Sequence, residues 1–299
     1  MLFIQRRPLP PLDRWIECLW LCRSEPRPRA LERVLPSGGS QLILNLAEDE
    51  TRIYRTLPAE AGSHTQLGRM PSGFSRKAAS ALICERSPGS VLTGMSTRFH
   101  LIDTDEQAYA AGVVFRAGGT VPFAAPPAYE LSDAEVALDC LWGRSSVQRV
   151  RDQLLSASSP DAALDRLEAT LEQVWREKAA HPAVQYALRT FRADPVVARV
   201  REVTDQIALS PKGFIERFKA DVGVTPKRYC RLLRFQRVVS HAHQSAPTDW
   251  AGLALDCGYF DQAHLIHEFR EFSGLTPTAY EAHRTTFQNH VTFLQSPEG

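Results

Sequence analysis

Three polar side chains on one short segment of the chain could hydrogen-bond to a partner. The segment GYFDQAHLIHEFREFSGLTP (residues 258–277) has apolar residues at helical spacing, Leu265, Ile266 and Phe269. Its other side carries neutral donors and acceptors, namely Gln262, His264 and His267. Such groups match the edges of DNA bases, whereas two histidines three residues apart could instead bind a metal ion. Because no nearby cysteine or carboxylate completes a familiar ligand pattern, we expect neither a metal nor another cofactor.

The same segment belongs to a sequence repeat. When the sequence is aligned with itself so that position 210 matches position 261, SPKGFIERFKADVGVTPKRY aligns with DQAHLIHEFREFSGLTPTAY. The matched pairs are Ile215 with Ile266, Phe218 with Phe269, Gly223 with Gly274, Thr225 with Thr276, Pro226 with Pro277, and Tyr229 with Tyr280. A repeat of this kind indicates two copies of one supersecondary unit.

Each copy contains signals for the start and the end of a helix. Ser210 and Asp261 are favourable N-caps, because their side-chain oxygens can accept from unpaired N–H groups of the first turn. Gly223 and Gly274 suit a left-handed helix end, and the Thr-Pro pairs that follow start another helix. An amphipathic segment precedes each cap. In the segment before Asp261, we expect Cys257 to pack in the hydrophobic core beside Leu253 and Phe260. Each copy therefore predicts a helix-turn-helix, whose second helix enters the DNA major groove.

This C-terminal sequence resembles the AraC/XylS family of bacterial transcription regulators. The segment WAGLALDCGYFDQAHLIHEFREFSGLTPTAY (residues 250–280) is similar to the family signature almost throughout, and the weaker first copy lies at the right separation. The resemblance covers about residues 182–284 and implies two helix-turn-helix units joined by a long helix. It implies a DNA-binding domain at residues 179–286 followed by a tail at residues 287–299, and a regulator rather than an enzyme, with no catalytic residues.

The resemblance also assigns roles to single side chains. The base-reading positions that it implies are Lys212, Gly213 and Glu216 in the first unit and Gln262, Ala263, His264 and His267 in the second. Lys212 suits guanine, Glu216 cytosine and Gln262 adenine. The basic residues placed for phosphates are Arg217, Lys219, Lys227, Arg228, Arg231 and Arg270. The family often has arginine where Glu216 stands, so this acid must find a base amine to avoid phosphate repulsion.

Charge is concentrated in the first copy and the helix after it. The whole chain has a formal net charge of +1, which argues against a broadly basic surface. Residues 212–237 contain eight Lys or Arg against two acids, so phosphate attraction is expected mainly there. The linking helix from about Pro226 to about His243 would measure roughly 27 Å. That length is comparable with the ~34 Å between successive major-groove faces, so one monomer could span two grooves.

We expect the whole chain to have the α+β fold class, because residues 1–178 are β-rich with some helices and the C-terminal part is all-α. SQLILNLAEDETRIYRTL (residues 40–57) predicts two strands joined by an acidic turn, and YAAGVVFRAGGTVPF (residues 109–123) a strand running into a Gly-Gly break. We expect a β-rich barrel or jelly-roll-like unit to about residue 127, and helices from LSDAEVALDCLWG (residues 131–143) onward. One helix has an apolar stripe, Leu164, Leu167, Leu171, Val174 and Trp175. The stripe could pack on its own barrel or form a dimer seam.

The same part of the chain resembles a domain of unknown function that precedes the DNA-binding module in some family members. The cues are LPSGGSQLILNL, VVFRAGGTVPF and LDCLWG. In better-understood members the N-terminal domain binds a small effector or dimerises. The resemblance of the C-terminal part to AraC/XylS regulators implies double-stranded operator DNA as a partner. A small-molecule effector, RNA polymerase and a second copy of the chain are further candidate partners.

Three other functions compete with a regulator. A metal-dependent jelly-roll enzyme would need clustered ligands, yet His64 and His100 are the only histidines before His181. A DNA-repair methyl acceptor fused to such a module would need a zinc-bound cysteine cluster, and CLWLC offers only Cys18 and Cys22. An architectural DNA-binding protein without an effector remains open.

Cellular location follows from what the sequence does not contain. The start MLFIQRRPLPPLDRW has no apolar run of signal-peptide length, and no run of about 18 apolar residues occurs. The six cysteines are scattered in hydrophobic sequence, which suits reduced thiols. We therefore expect a cytoplasmic protein with no membrane partner.

Overall fold

The computed structural model describes residues 2–25, 30–56, 82–104, 108–196, 200–244 and 248–293. Within these ranges, all strand pairings are antiparallel. The strands are β1 (Leu2–Arg6), β2 (Ile16–Arg23), β3 (Leu31–Val34), β4 (Ser40–Asn45), β5 (Glu50–Thr56), β6 (Leu82–Pro88), β7 (Ser90–Thr93), β8 (His100–Asp103), β9 (Tyr109–Phe115), β10 (Glu135–Ala137) and β11 (His290–Thr292). They form one sheet in the order β1-β2-β9-β4-β7-β10 and another in the order β11-β3-β8-β5-β6.

The two strands predicted around the acidic turn are confirmed as β4 and β5, but they belong to different sheets. β4 pairs with β7 and β9, whereas β5 pairs with β6 and β8. The strand predicted before the Gly-Gly break is β9. Alternating buried residues of β2, β4 and β9, such as Leu19, Leu42 and Val113, form a core on one face of the first sheet.

Four helices follow in the N-terminal part that the structure describes. They are α1 (Ala128–Leu131), α2 (Leu138–Trp142), α3 (Arg144–Leu155) and α4 (Pro160–Val174). The cap of α4 is Ser159, whose Oγ accepts from the N–H of Ala162 at 3.1 Å. The prediction of helix from residue 131 onward is wrong at Glu135–Ala137, which form the short strand β10 paired with β7. Three residues are too few for a readable alternation.

The apolar stripe of α4 packs within its own chain. Leu164, Leu167 and Leu171 are buried in the same cluster as the inward residues of the first sheet. Of the two interpretations of the stripe, packing on the protein's own sheet is therefore the one that the structure supports.

The C-terminal part is helical. Its helices among the described residues are α5 (Pro182–Ala193), α6 (Val200–Thr204), α7 (Pro211–Val222), α8 (Pro226–Gln244), α9 (Trp250–Asp256), α10 (Gln262–Ser273) and α11 (Pro277–His283). The linking helix α8 has 19 residues, close to the predicted length. Large aromatic side chains from these helices, including Phe214, Phe235 and Phe269, form one buried core. The α+β fold class is confirmed.

The N- and C-terminal parts are joined by shared packing and by a strand. Leu35, Met95 and Ala117 of the N-terminal part belong to the same apolar cluster as the C-terminal helices. After α11 the chain returns to the second sheet, where β11 pairs with β3. His290 Nδ1 lies 3.0 Å from Glu32 Oε2 across that pair. The predicted tail thus contributes a strand to the N-terminal domain; residues 294–299 of it lie outside the described residues.

Candidate nucleic-acid interface

The two copies of the repeat have the same local structure. Ser210 Oγ accepts from the N–H of Gly213 at 3.1 Å, and Asp261 Oδ1 accepts from that of His264 at 2.7 Å. Both predicted N-caps are therefore confirmed. Gly223 has φ +103° and Gly274 has φ +67°, so both helices end in the left-handed conformation that glycine adopts without strain. The second helices of the two units, α7 and α10, are called the recognition helices below.

The first recognition helix presents charged side chains to solvent at its N-terminal end. Lys212 and Glu216 are exposed, and Lys212 Nζ lies 4.0 Å from Glu216 Oε1. A pair this exposed contributes little to stability, so either group is available to a partner. Gly213 lies between them, with its N–H engaged by the cap. Arg217 and Lys219 are also exposed, and Lys219 Nζ lies 5.7 Å from the centre of the Tyr129 ring.

The second recognition helix presents its predicted base-reading residues at the surface, although His264 is only partly exposed. Gln262, Ala263 and His267 are exposed. His264 Nδ1 accepts from the N–H of Phe260 at 3.4 Å, and its Nε2 lies 3.7 Å from Glu268 Oε1. Nδ1 of His264 is therefore engaged within the protein, but its side chain is 40% exposed, so part of the ring is accessible at this surface.

A buried carboxylate holds the second recognition helix on the linking helix. Glu268 of α10 is only 4% exposed. Its Oε1 accepts from Arg231 Nε of α8 at 2.6 Å, and Arg234 Nη2 of α8 lies 3.7 Å away. A buried charge is costly unless it is paired, so this contact ties the orientation of α10 to α8.

Two of the predicted phosphate-binding arginines are engaged within the protein. Arg228 and Arg231 both donate to the carboxylate of Glu271, and both stack on the Phe272 ring. Partial burial acts to raise the pKa of Glu271, but the hydrogen bonds from Arg231 and Arg228 outweigh it and lower that pKa. A phosphate contact by either arginine would have to replace part of this pairing. Arg217, Lys219, Lys227 and Arg270 are exposed instead.

The C-terminal ends of both recognition helices contact the N-terminal domain. At the end of α7, Ser132 Oγ donates to the carbonyl of Gly223 at 2.8 Å. At the end of α10, the N–H of Phe99 donates to the carbonyl of Phe272 at 2.9 Å. The Phe99 ring lies against Gly274 so closely that a Cβ there would be 2.3 Å from Phe99 Cε1. Equivalent ends of the two copies are thus held by one domain, and the opposite ends carry the exposed polar residues.

Arg33 is a functional candidate that the sequence did not reveal. Its guanidinium lies 4.3 Å from the centre of the Phe99 ring and 5.6 Å from that of Phe293. Its Nη1 donates to the carbonyl of Ser273, the last residue of α10, at 2.8 Å. Burial lowers the pKa of Arg33 to about 10, so the group is still charged at neutral pH. Because the partners are 240 positions apart, no local pattern indicates this contact.

The residues considered for metal chemistry do not cluster. The described ranges contain no group of three or more His, Cys, Asp or Glu side chains that could hold a metal ion. His64 lies outside them, and His100 lies at the start of β8. Cys18 and Cys22 lie on β2, and burial raises the pKa of both thiols. In the described part of the chain, no helix is long and apolar enough to span a bilayer.

Comparison with known proteins gives a family match for each part of the chain. Residues 203–283 match a family described as a helix-turn-helix domain, and residues 4–137 match a domain of unknown function (DUF6597). A Streptomyces lividans protein named for its likeness to AraC transcription regulators is 30% identical over 112 residues. The chain carries an AraC-type helix-turn-helix domain. The family resemblance drawn from the sequence is confirmed.

The AraC-type domain accounts for one part of the chain only. The match to the Streptomyces protein covers 37% of this chain and about a third (36%) of that protein's length. Among solved structures, ToxT from Vibrio cholerae is 7% identical with a TM-score of 0.45, covering 94% of this chain and 98% of that one. An AraC-family chain from Rhodopseudomonas palustris is 21% identical with a TM-score of 0.30, covering 32% and 92%.

The structure corrects one expected packing partner in the AraC-type domain. Cys257 and Leu253 are buried as expected, and burial raises the pKa of the Cys257 thiol to about 11. Phe260, expected beside them, is 86% exposed. Tyr259 occupies the buried position instead, because the turn after Gly258 (φ +77°) directs only one of the two adjacent rings inward.

Proposed function

We propose that the protein is a sequence-specific, DNA-binding transcription regulator whose activity is modulated through its N-terminal domain. One observation carries the proposal: two equivalent recognition helices are held at their C-terminal ends and present polar side chains at their N-terminal ends. A helix-turn-helix places those N-terminal residues at base edges in the major groove. In this proposal the protein is not an enzyme and acts in the cytoplasm, where operator DNA lies.

Base reading is assigned to the exposed residues at the start of each recognition helix. Lys212 and Glu216 would read the first groove, and Gln262 and His267 the second, with Gly213 and Ala263 allowing close approach. The exposed cations Arg217, Lys219, Lys227 and Arg270 would contact phosphates, which position the protein without reading sequence. Arg228 and Arg231 would act mainly by fixing the second unit, since both pair with carboxylates within the protein. His264 remains a candidate reading residue, partly exposed with its Nδ1 engaged.

Selection of bound sequences from random DNA, with the purified full chain, tests this function. The expected result is a motif of two short blocks about one helical turn apart. Recovery of DNA without any shared motif would favour an architectural binding protein.

The Gln262→Ala substitution is expected to relax specificity at one base pair of the selected site. A bidentate contact between glutamine and adenine is worth roughly 1–3 kcal/mol of discrimination, which is roughly 5- to 150-fold in affinity. The measurement is a titration of each variant against the site and its single-base substitutions. The matched control is Gln148→Ala, an exposed glutamine on α3. Equal discrimination by Gln262→Ala and the native protein would remove Gln262 from the reading set.

Modulation through the N-terminal domain is supported by the contacts at the ends of α7 and α10. Because one domain holds both ends, it restricts how the two units sit relative to each other. A change in that domain, such as effector binding, would therefore alter how well the two units fit adjacent grooves. Ligand screening against operator affinity separates an effector-responsive regulator from an architectural protein.

The Arg33→Met substitution is expected to weaken operator binding several-fold although Arg33 lies away from the proposed reading residues. Methionine keeps the apolar bulk between Phe99 and Phe293 but cannot donate to the Ser273 carbonyl. Without this contact the second helix-turn-helix unit is held less firmly by the N-terminal domain. DNA binding must then fix its position, and that ordering lowers the affinity. The control is Arg23→Met, since Arg23 stacks on Tyr109 within the N-terminal domain. Native affinity in Arg33→Met would argue that the contact has no effect on DNA binding.

A further inference from the structure

The most exposed large hydrophobic side chain in the described ranges lies beside the second recognition helix. Phe260 is 86% exposed, and it immediately precedes Asp261, the N-cap of α10. Single exposed apolar residues are common on protein surfaces, so exposure alone indicates nothing. The position next to the proposed base-reading residues is what distinguishes Phe260.

The fold does not use the Phe260 ring. Under the repeat alignment, the equivalent residue in the first copy is Leu209, which is half-buried and packs against the C-terminal core. In the second copy the neighbouring Tyr259 is buried in that core. An apolar side chain at position 260 therefore makes no packing contribution comparable to that of Leu209, and its loss should leave the domain folded.

Two hydrogen bonds fix Phe260 relative to the start of the recognition helix. The main-chain N–H of Phe260 donates to His264 Nδ1 at 3.4 Å, and Asp261 Oδ1 accepts from the N–H of His264 at 2.7 Å. The turn that carries Phe260 is thus held on the first turn of α10, where Gln262 and Ala263 are exposed. The His264 ring is held beside this turn by the same contact and is partly exposed, so Phe260 adds an apolar ring next to the polar side chains at this end of the helix.

We propose that Phe260 is a specificity-determining residue that contacts the C5 methyl group of a thymine in the groove read by the second unit. The inference rests on the proposed function. In the major groove, thymine is the base that presents a methyl group, and apolar side chains recognise it by contact. A ring that is exposed in the free protein gains by covering that methyl group, whereas hydrogen-bonding side chains do not distinguish it.

Replacing each thymine of the selected operator by deoxyuridine tests the inference, because this change removes only the methyl group. The native protein is expected to bind about fourfold more weakly when one of one or two thymines in the half-site of the second unit is replaced. About fourfold in affinity corresponds to the free energy of burying one methyl-sized group. Phe260→Ala should bind the thymine operator more weakly and lose this sensitivity. Phe260→Leu, which keeps an apolar contact, should retain part of it.

Matched variants separate the outcomes. Leu9→Ala removes another exposed apolar side chain, which is 65% exposed, from the N-terminal domain and should leave deoxyuridine sensitivity unchanged. Thermal unfolding of Phe260→Ala should match that of the native protein. Sequence-specific binding with the same deoxyuridine sensitivity in Phe260→Ala and native protein would overturn the inference alone. Failure to select any operator would overturn the proposed function, and the inference with it.

Discussion

Replacing Leu233 with proline is expected to abolish sequence-specific DNA binding. Leu233 is half-buried in the interior of the linking helix α8. Proline there removes one helical hydrogen bond and clashes with the carbonyl one turn earlier, which costs about 3 kcal/mol or more. A break at this point separates the two units and disturbs Arg231 and Arg234, which hold Glu268 on the second recognition helix. A gel-shift titration with the selected operator measures the loss.

The control for the proline variant is Leu233→Ala, which shortens the same side chain but keeps the helix. It should bind the operator within a few-fold of the native protein. Circular dichroism would verify that the proline variant keeps most of the secondary structure of the native protein. Full operator affinity in Leu233→Pro would refute the proposal that α8 couples the two units.

Replacing Gly274 with alanine is expected to destabilise the protein by more than the backbone strain alone. Alanine in the left-handed conformation costs roughly 1–2 kcal/mol. In addition, the new Cβ would lie 2.3 Å from Phe99 Cε1, so the Phe99 ring must move away from the end of α10. The total expected loss in unfolding free energy is about 3 kcal/mol or more, measured by denaturant titration.

A second variant isolates the contact with Phe99. In a Phe99→Ala background the same Gly274→Ala change should cost only the strain, since the ring is no longer there. Gly38→Ala is the matched control: Gly38 has φ +82°, and the nearest atom to its Cβ would be 3.9 Å away. Equal losses at positions 38 and 274 in the native background would show that the close approach of Phe99 has no energetic consequence.

Contacts between residues that are close together in the sequence were predictable from the sequence. The caps at Ser210 and Asp261 and the left-handed glycines at 223 and 274 follow from local backbone chemistry. Their occurrence twice at one separation made the helix-turn-helix pair recognisable, and with it the candidate reading positions. The start of the linking helix was predictable for the same reason, because the Thr225-Pro226 pair marks it.

Contacts between distant parts of the chain were not predictable. Arg228 and Arg231 were expected to contact phosphates, but in the structure both are partly buried and pair with Glu271. The assignment of β4 and β5 to different sheets, the return of β11 to β3, and the Arg33 contact with Ser273 are of the same kind. Each joins residues whose separation along the chain leaves no periodic signal.

The sequence by itself therefore determined that the chain contains two tandem helix-turn-helix units and where their recognition helices begin and end. Only the tertiary structure decided how far each side chain is exposed: Gln262 and Phe260 are exposed, whereas His264 is partly exposed with its Nδ1 bonded to the Phe260 N–H. It also decided that one N-terminal domain holds both helices by their C-terminal ends. The physical reason is that caps and glycine turns depend on neighbouring backbone groups, whereas exposure depends on every element packed around a residue.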